Sequence, residues 1–408
     1  MGNSGIGKRY FLMYCLWALG HCKQMVYFES QNLKVGWLFE TDGRVSSFPF
    51  GHRPRRLDSD PKLVYLFDAA WTTQGGPPTI SRGYTIFSTS PKSTNYASFR
   101  LIVQEKRLYI PIWSIDEITK FAVDTVPDAS SRDTILSSYQ LFGGIPRYVF
   151  SLQDDYLAFL QNSIALCNVE QIRRSLGGLD ALEDGSHRLL HYDVADDFRS
   201  ISMKFASKYV EDAVFARITE TQRQSALDFV FLSSVGIPAV LGIRGSWFKH
   251  FAHERLSHGG SFRVRQLVET ADAKVEEWKF PAMAFLLNSF EKIEELNVGL
   301  GVYTTPTLPN FAVDGFCQFD PDYIIGVQMT VSKQHTIAST QLAEMLKQLG
   351  YDNKTTREFR VVFVVPRDVF DEYKSPQTFI GVDGNELVHL PEVITKNCRQ
   401  YVLELAMS

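Results

Sequence analysis

Paired cysteines are what the sequence most plainly lacks. Its five, Cys15, Cys22, Cys167, Cys317 and Cys398, are odd in number, widely scattered and free of any Cys-x-x-Cys spacing, which excludes a disulfide scaffold and a zinc or thioredoxin-type motif. They are expected to be reduced thiols in the core, and a reducing compartment follows from that. A membrane-length apolar run is also missing. The nearest approach, Ser225 to Ile243, is interrupted by Asp228, serines and Pro238 and is expected to be a buried strand-and-turn region, so no membrane partner is predicted. Nor is there an excess of positive charge: with a net charge of −4, any contact with nucleic acid has to come from a local patch. What is present is ordinary for a folded chain, 45% hydrophobic and 13% aromatic, and 408 residues suffice for two domains with separate cores.

The opening stretch GNSGIGKRYFLMYCLWALG, Gly2 to Gly20, has two readings. A basic start, an apolar run and a small-x-small ending at Ala18 and Gly20 imitate a secretory signal. That reading leaves the glycines unexplained. The pattern GxxxxGK is met by Gly2, Gly7 and Lys8, with Gly5 between them, and such a loop lets successive backbone N–H groups converge on a phosphate while the lysine ammonium reaches its outer oxygens. A helix is predicted after Lys8, with Phe11, Cys15, Leu16 and Leu19 at helical spacing for packing on a sheet. The position after the lysine, where Ser or Thr ligates Mg²⁺, holds Arg9, which puts a positive charge where the ion is expected. The strand that should feed the loop has no residues before Met1, so the first strand of the sheet is expected to be missing.

Later segments arrive in the order of a phosphate-loop domain. Gln24 to Ser30 reads as a strand; Lys62 to Ala70 is an apolar strand ending at Asp68, the form of a strand whose aspartate holds Mg²⁺; Gly83 to Pro91 is a strand ending at Ser88, Thr89 and Ser90, of which Ser90 is placed to sense a phosphate. Ala69 and Ala70 stand where a catalytic glutamate often follows the aspartate. LYIPIWS, Leu108 to Ser114, is predicted as a further strand, followed by helices from Ile115 to Val123 and from Arg132 to Leu141. Gly143 and Gly144 allow a tight turn that Pro146 fixes, so that Arg147 projects either toward a nucleotide or into an interdomain ion pair.

These segments, with NYASF, YIPIWSIDEI and LFGGIPRYVF between Asn95 and Phe150, resemble the phosphate-loop NTPase region shared by crinkler effectors of oomycetes and fungi and the retrotransposon hot spot proteins of trypanosomes. The resemblance continues through HRLLHYDV, FASKYV, RGSWFKHFAHERLSHGGSFRVRQL, FAVDGF and IIGVQMTVSKQH, and so covers nearly the whole chain. It implies a two-domain α/β protein: a P-loop NTPase-like parallel sheet over residues 1–173, a glycine- and acid-rich linker over 174–186, and an α/β restriction-endonuclease-like domain over 187–408. It further implies ATP or GTP with Mg²⁺ as cofactors, DNA as partner of the C-terminal domain, and secretion into a host cell, action in the host nucleus and cell death, although no export signal of that family is recognisable.

In the second domain, Asp314 is expected at the start of one strand, and Tyr323 to Val331 forms a second on which Gln328 and Thr330 share a face. Nucleases of the PD-(D/E)xK type place an aspartate and a Glu-x-Lys pair on one face, so that two carboxylates hold Mg²⁺ and the lysine serves the attacking water. Here Gln328 and Thr330 stand at the Glu and Lys positions, with Lys333, His335 and Glu254 as substitutes for the lost charges, and Asp314 as metal ligand or plain turn residue. Lys249 and His250 stand where relatives tend to carry an acid. Arg244, Lys249, His250, His253, Arg255, His258, Arg263 and Arg265, interleaved with Trp247, Phe248, Phe251 and Phe262, offer a basic face for DNA or a solvated helix. HRPRR, His52 to Arg56, is a short run of nuclear-import type. Three outcomes stay open: a nucleotide-gated nuclease, a binding protein without turnover, and a decayed gene copy.

Overall fold

The computed structural model describes residues 1–69, 81–89, 106–151, 155–176, 186–232, 238–269, 273–283, 289–306, 311–352, 354–355 and 357–406. The chain divides into two compact units, Met1–Arg223 with Ile237–Gly242, and Gln224–Gly236 with Ile243–Ser408.

In the first unit, helix α1 (Lys8–His21) precedes strands β1 (Val26–Ser30), β2 (Val35–Phe39), β3 (Val45–Pro49), β4 (Val64–Asp68) and β5 (Tyr84–Ser88). The sheet order is β3-β2-β1-β4-β5, with β1, β4 and β5 mutually parallel and the β1-β2-β3 side antiparallel. Period-two alternation sends Val26, Phe28, Val64 and Leu66 to one face, where Leu12 of α1 packs with Cys15, Leu16 and Leu19, and sends Tyr27, Tyr65 and Phe67 to the other with Leu38, Leu57 and Leu63. Phe11 is turned outward and 47% exposed, because Leu12 holds the inward position. Helices α2 (Ile115–Thr125), α3 (Ala129–Phe142), α4 (Pro146–Val149), α5 (Asp155–Leu166) and α6 (Val169–Leu176) follow, then the hairpin of β6 (Leu190–Val194) and β7 (Ile201–Phe205). Ser114 and Glu117 form a reciprocal capping box that starts α2.

Two expectations change here. Among the described residues Leu108–Ser114 pairs with no strand: its backbone bonds run piecemeal, Tyr109 N to Phe198 O, Ile110 N to Met1 O and Trp113 N to Gly144 O. The segment HRLLHYDV, expected to open the second domain, folds with the first unit, since Asn3 Oδ1 accepts from Tyr192 N at 3.0 Å. The division falls instead near Gln222, whose φ of −143° and ψ of 37° break helix α7 (Lys208–Leu232).

Helix α8 (Pro238–Ser257) leads into the sheet of the second unit. Ser225–Ile243, expected as strand and turn, is the end of α7 and the start of α8 on either side of residues 233–237, which lie outside the described residues. Next come β8 (Gly260–Gln266), β9 (Val275–Phe280), β10 (Ser289–Phe290), β11 (Tyr303–Pro306), β12 (Gly315–Asp320), β13 (Tyr323–Met329), the two-residue β14 (Ile337–Ala338), α9 (Ser339–Gln348), β15 (Glu358–Pro366), α10 (Arg367–Phe370), the two-residue β16 (Phe379–Ile380), α11 (Glu392–Asn397) and β17 (Cys398–Leu405). They form an eight-stranded mixed sheet in the order β10-β11-β12-β13-β15-β17-β8-β9. Its centre, β13-β15-β17, is parallel, and the run Val361–Val365 of β15 is apolar throughout because it is buried on both faces. One face packs α9, α10 and α11 through Phe316, Phe359, Phe363, Leu342, Leu346 and Val369.

All five cysteines are free; Cys167 and Cys317 are buried, while Cys22 is exposed. Among the described residues no helix is long and apolar enough to cross a membrane.

Candidate functional site

Gly7 takes φ +100° as the residue that caps α1, and among the described residues no side chain caps this helix, so its first backbone N–H groups are left to face the loop Gly2–Gly7. Lys8 folds back over the loop, Nζ donating to the carbonyls of Gly2 at 3.0 Å and Asn3 at 2.8 Å. Gly5 is bound from the other side: Arg147 N donates to its carbonyl at 3.3 Å, and a Cβ at Gly5 would come within 2.8 Å of Arg147 Cβ. Arg147 Nη1 also reaches Ser4 Oγ at 3.5 Å. Lys8 is pushed down to about 8, first by burial and then by Arg147, against the pull of Asp68. Lys8, Arg147 and Asp68 therefore share one small electrostatic neighbourhood at the end of β4.

Asp68 ends β4 beside Ser30, its register partner at the end of β1. Its Oδ2 accepts from Arg9 Nε at 2.8 Å and from Ser30 Oγ at 3.0 Å. The carboxylate is thus neutralised by the residue that stands where a Ser or Thr would ligate Mg²⁺. Mg²⁺ needs oxygen ligands and close octahedral contact, which a guanidinium on the same oxygen opposes. The residues at this site do not fit a divalent ion. Ser90 lies outside the described residues. Ser30 and Asn3 were not legible as site residues; Asn3, 1% exposed, ties the loop to the β6 backbone through both ends of its amide, a role that a lone asparagine does not signal.

The second candidate lies where β12 meets β13. Gly315 is opposite Val327, and Asp314, the residue just before β12, donates its own N–H to the Val327 carbonyl at 2.7 Å. Asp314 Oδ1 accepts from Lys249 Nζ of α8 at 2.6 Å, and Oδ2 accepts from Met329 N at 2.7 Å. Gln328, 6% exposed, has no partner for its Oε1 among the described residues. Thr330 is buried and its hydroxyl accepts from Ser332 N at 3.1 Å. The pKa of His335 is lowered, chiefly by burial, with Asp314 opposing the shift and Lys249 adding to it, so its ring lies within electrostatic reach of that ion pair. Lys333 is turned away to Glu372. Glu254 is five residues past Lys249 on α8, roughly 140° further round the helix. With both oxygens of Asp314 engaged and its charge met by Lys249, this site also does not fit Mg²⁺.

The basic stretch after Arg244 is consumed by the fold. Arg244 is 1% exposed and clamps Asp368 with two contacts of 2.9 Å; Arg255 bonds the Gly259 carbonyl and stacks on Phe262; Arg263 pairs with Glu404; Arg265 holds the carbonyls of Phe370 and Tyr373. His253 bonds Tyr303 at 2.7 Å, and Trp247, Phe248 and Phe251 are core residues. In HRPRR, Arg53 lies over the Tyr65 ring at 4.5 Å with its side chain 4% exposed and paired to Asp58, so it is not available as part of a linear import signal.

Comparison with known proteins returns the family that the motifs suggest. The chain is 24% identical over 399 residues to crinkler effector protein 15 of Phytophthora infestans, and 25% identical over 401 residues to crinkler effector protein 16 of the same organism, in each case across 92% of this chain. It resembles crinkler effectors over nearly its whole length. The chain spans 60% of the length of these curated crinkler relatives. No family model matches, and no solved structure matches.

Proposed function

We propose that this protein is a crinkler-type effector whose first unit binds the phosphates of ATP or GTP and whose second unit is a nuclease-like fold that no longer cuts DNA. The observation that carries this reading is the loop itself. Gly2–Gly7, the uncapped start of α1, Lys8 and Arg147 converge on one point with a net positive charge, the chemistry that receives a polyphosphate. Similarity to two crinkler effectors supports the effector role, and delivery to a host cell, action in the host nucleus and cell death belong to the proposal by family resemblance alone. In the second unit we read Asp314, Gln328, Thr330 and His335 as the remnant of a nuclease centre, and the pairing of Lys249 with Asp314, where a metal would otherwise meet the carboxylate, favours a fold retained without cleavage.

Two measurements on the full chain test the proposal. Titration with a fluorescent ATP analogue should show saturable binding that Lys8→Ala weakens at least tenfold; equal affinity in both chains would refute the phosphate role. Incubation with supercoiled plasmid and Mg²⁺ should give no nicking. Nicking that disappears in Asp314→Ala would show that the second unit is an active nuclease.

A further inference from the structure

We infer that Arg9 is the resident cation of the phosphate site, and that this protein binds nucleotide phosphates without a divalent metal. The inference rests on the nucleotide reading of the loop and says how that site meets its ligand's charge. In a phosphate loop with Ser or Thr after the lysine, the hydroxyl and the strand aspartate cooperate in holding Mg²⁺, and the ion bridges the outer phosphates. Here the same two positions hold each other. Arg9 Nε is 2.8 Å from Asp68 Oδ2, and Ser30 Oγ occupies the same oxygen at 3.0 Å. Asp68 is buried, with its side chain 8% exposed, whereas Arg9 is 51% exposed. The pair is therefore anchored at its acidic end and open to ligand at its basic end.

Only the Nε–H of Arg9 is used by Asp68, and no other described residue engages its terminal nitrogens. A guanidinium held in this way presents a planar fork of donors, which suits two phosphate oxygens at once. Charge balance points the same way. Arg9 pairs with Asp68, and Lys8 lies within electrostatic reach of both Asp68 and Arg147, so the site is already cationic before any ligand arrives, and the depression of Lys8 by burial and Arg147 reports that crowding. A divalent ion would have to displace Arg9 from its carboxylate and then sit among two further positive groups. A polyphosphate instead relieves the crowding.

The test uses the full chain with Mn²⁺ as the metal probe, read by electron paramagnetic resonance. Wild type is expected to show no Mn²⁺ site that depends on Asp68. Arg9→Ser should gain one, at least tenfold tighter than any wild-type binding, and a further Asp68→Asn change should remove it. Arg9→Lys, which keeps the charge, should behave as wild type. Wild-type binding as tight as that of Arg9→Ser and abolished by Asp68→Asn would overturn the inference, and so would an Arg9→Ser chain that gains no site. In parallel, the affinity for a fluorescent ADP analogue should differ less than twofold between EDTA and Mg²⁺, and a tenfold gain in Mg²⁺ would overturn the inference. If no nucleotide binds in either buffer, the nucleotide reading fails, and the Mn²⁺ results still decide the role of Arg9.

Discussion

Arg9 and Asp68 are joined across the end of the first sheet by a 2.8 Å contact between Nε and Oδ2, 59 residues apart in the chain. The second unit repeats the arrangement with different residues, Lys249 Nζ on Asp314 Oδ1 at 2.6 Å. In both units the carboxylate that the motifs assign to Mg²⁺ already carries a side-chain cation. Both units thus depart from their expected chemistry in the same physical direction, from metal binding toward internal neutralisation.

Lys8 is expected to make the proposed phosphate binding pH-dependent. Its ammonium is depressed to about 8 in the free protein, and a bound phosphate stabilises the charged form. Affinity is expected to be flat below pH 8 and to fall as pH rises above it, by up to about tenfold per unit while Lys8 remains the titrating group. Titration of the fluorescent nucleotide between pH 6.5 and 9.5 checks this, and Lys8→Arg should shift the decline to higher pH.

His191 makes the first unit acid-sensitive. It is fully buried on β6, neither ring nitrogen has a partner among the described residues, and burial lowers it to about 3, with smaller contributions from Lys204 and His187. Between pH 6.5 and 3 the unfolded chain takes up a proton that the folded chain refuses, so stability falls as pH is lowered through that window. Urea unfolding at pH 7, 5.5 and 4.5 should show the loss, and His191→Phe should reduce it.

The Gly143–Gly144 turn tolerates no side chain. A Cβ on Gly144 would lie 1.9 Å from the Trp113 carbonyl oxygen, and Gly143, at φ +64°, would place one 2.0 Å from the Ala206 carbonyl oxygen. Gly144→Ala is expected to cost about 3 kcal/mol or more, since the obstacle is backbone and cannot rotate away. Thermal melting of the variant checks it; an unchanged midpoint would show that the Trp113 segment moves freely.

Removing Asp314 should destabilise the second unit. Asp314→Ala leaves Lys249 without its partner and Met329 N without its acceptor, a loss of roughly 1–3 kcal/mol. The double variant Asp314→Ala with Lys249→Met should recover part of that loss, because no unpaired charge is left behind. Urea unfolding of the two single variants and the double variant reads the coupling.

Much of this was legible in the sequence because it depends on local pattern. The helix after Lys8, the strands ending at Ser30, Asp68 and Ser88, and β13 follow from period and composition. Tertiary context decided the rest. Leu108–Ser114 has the composition of a strand but finds partners one residue at a time rather than along a ladder. Ser225–Ile243 has helix-compatible residues that Asp228, the serines and Pro238 disguised as a strand-and-turn region. The basic stretch after Arg244 reads as a surface, yet its arginines reach carboxylates and carbonyls far along the chain, such as Asp368 and Glu404, and no local pattern reveals those pairs. Arg9 was recognisable as a departure from a phosphate-loop pattern, but its attachment to Asp68 required the fold.

The most direct test is a calorimetric titration of the wild-type chain with ATP, first in EDTA and then in excess Mg²⁺. Saturable binding of equal affinity in both buffers, lost in Lys8→Ala, is the expected result. Binding that appears only with Mg²⁺ would contradict the assignment of Arg9 as the cation of the site.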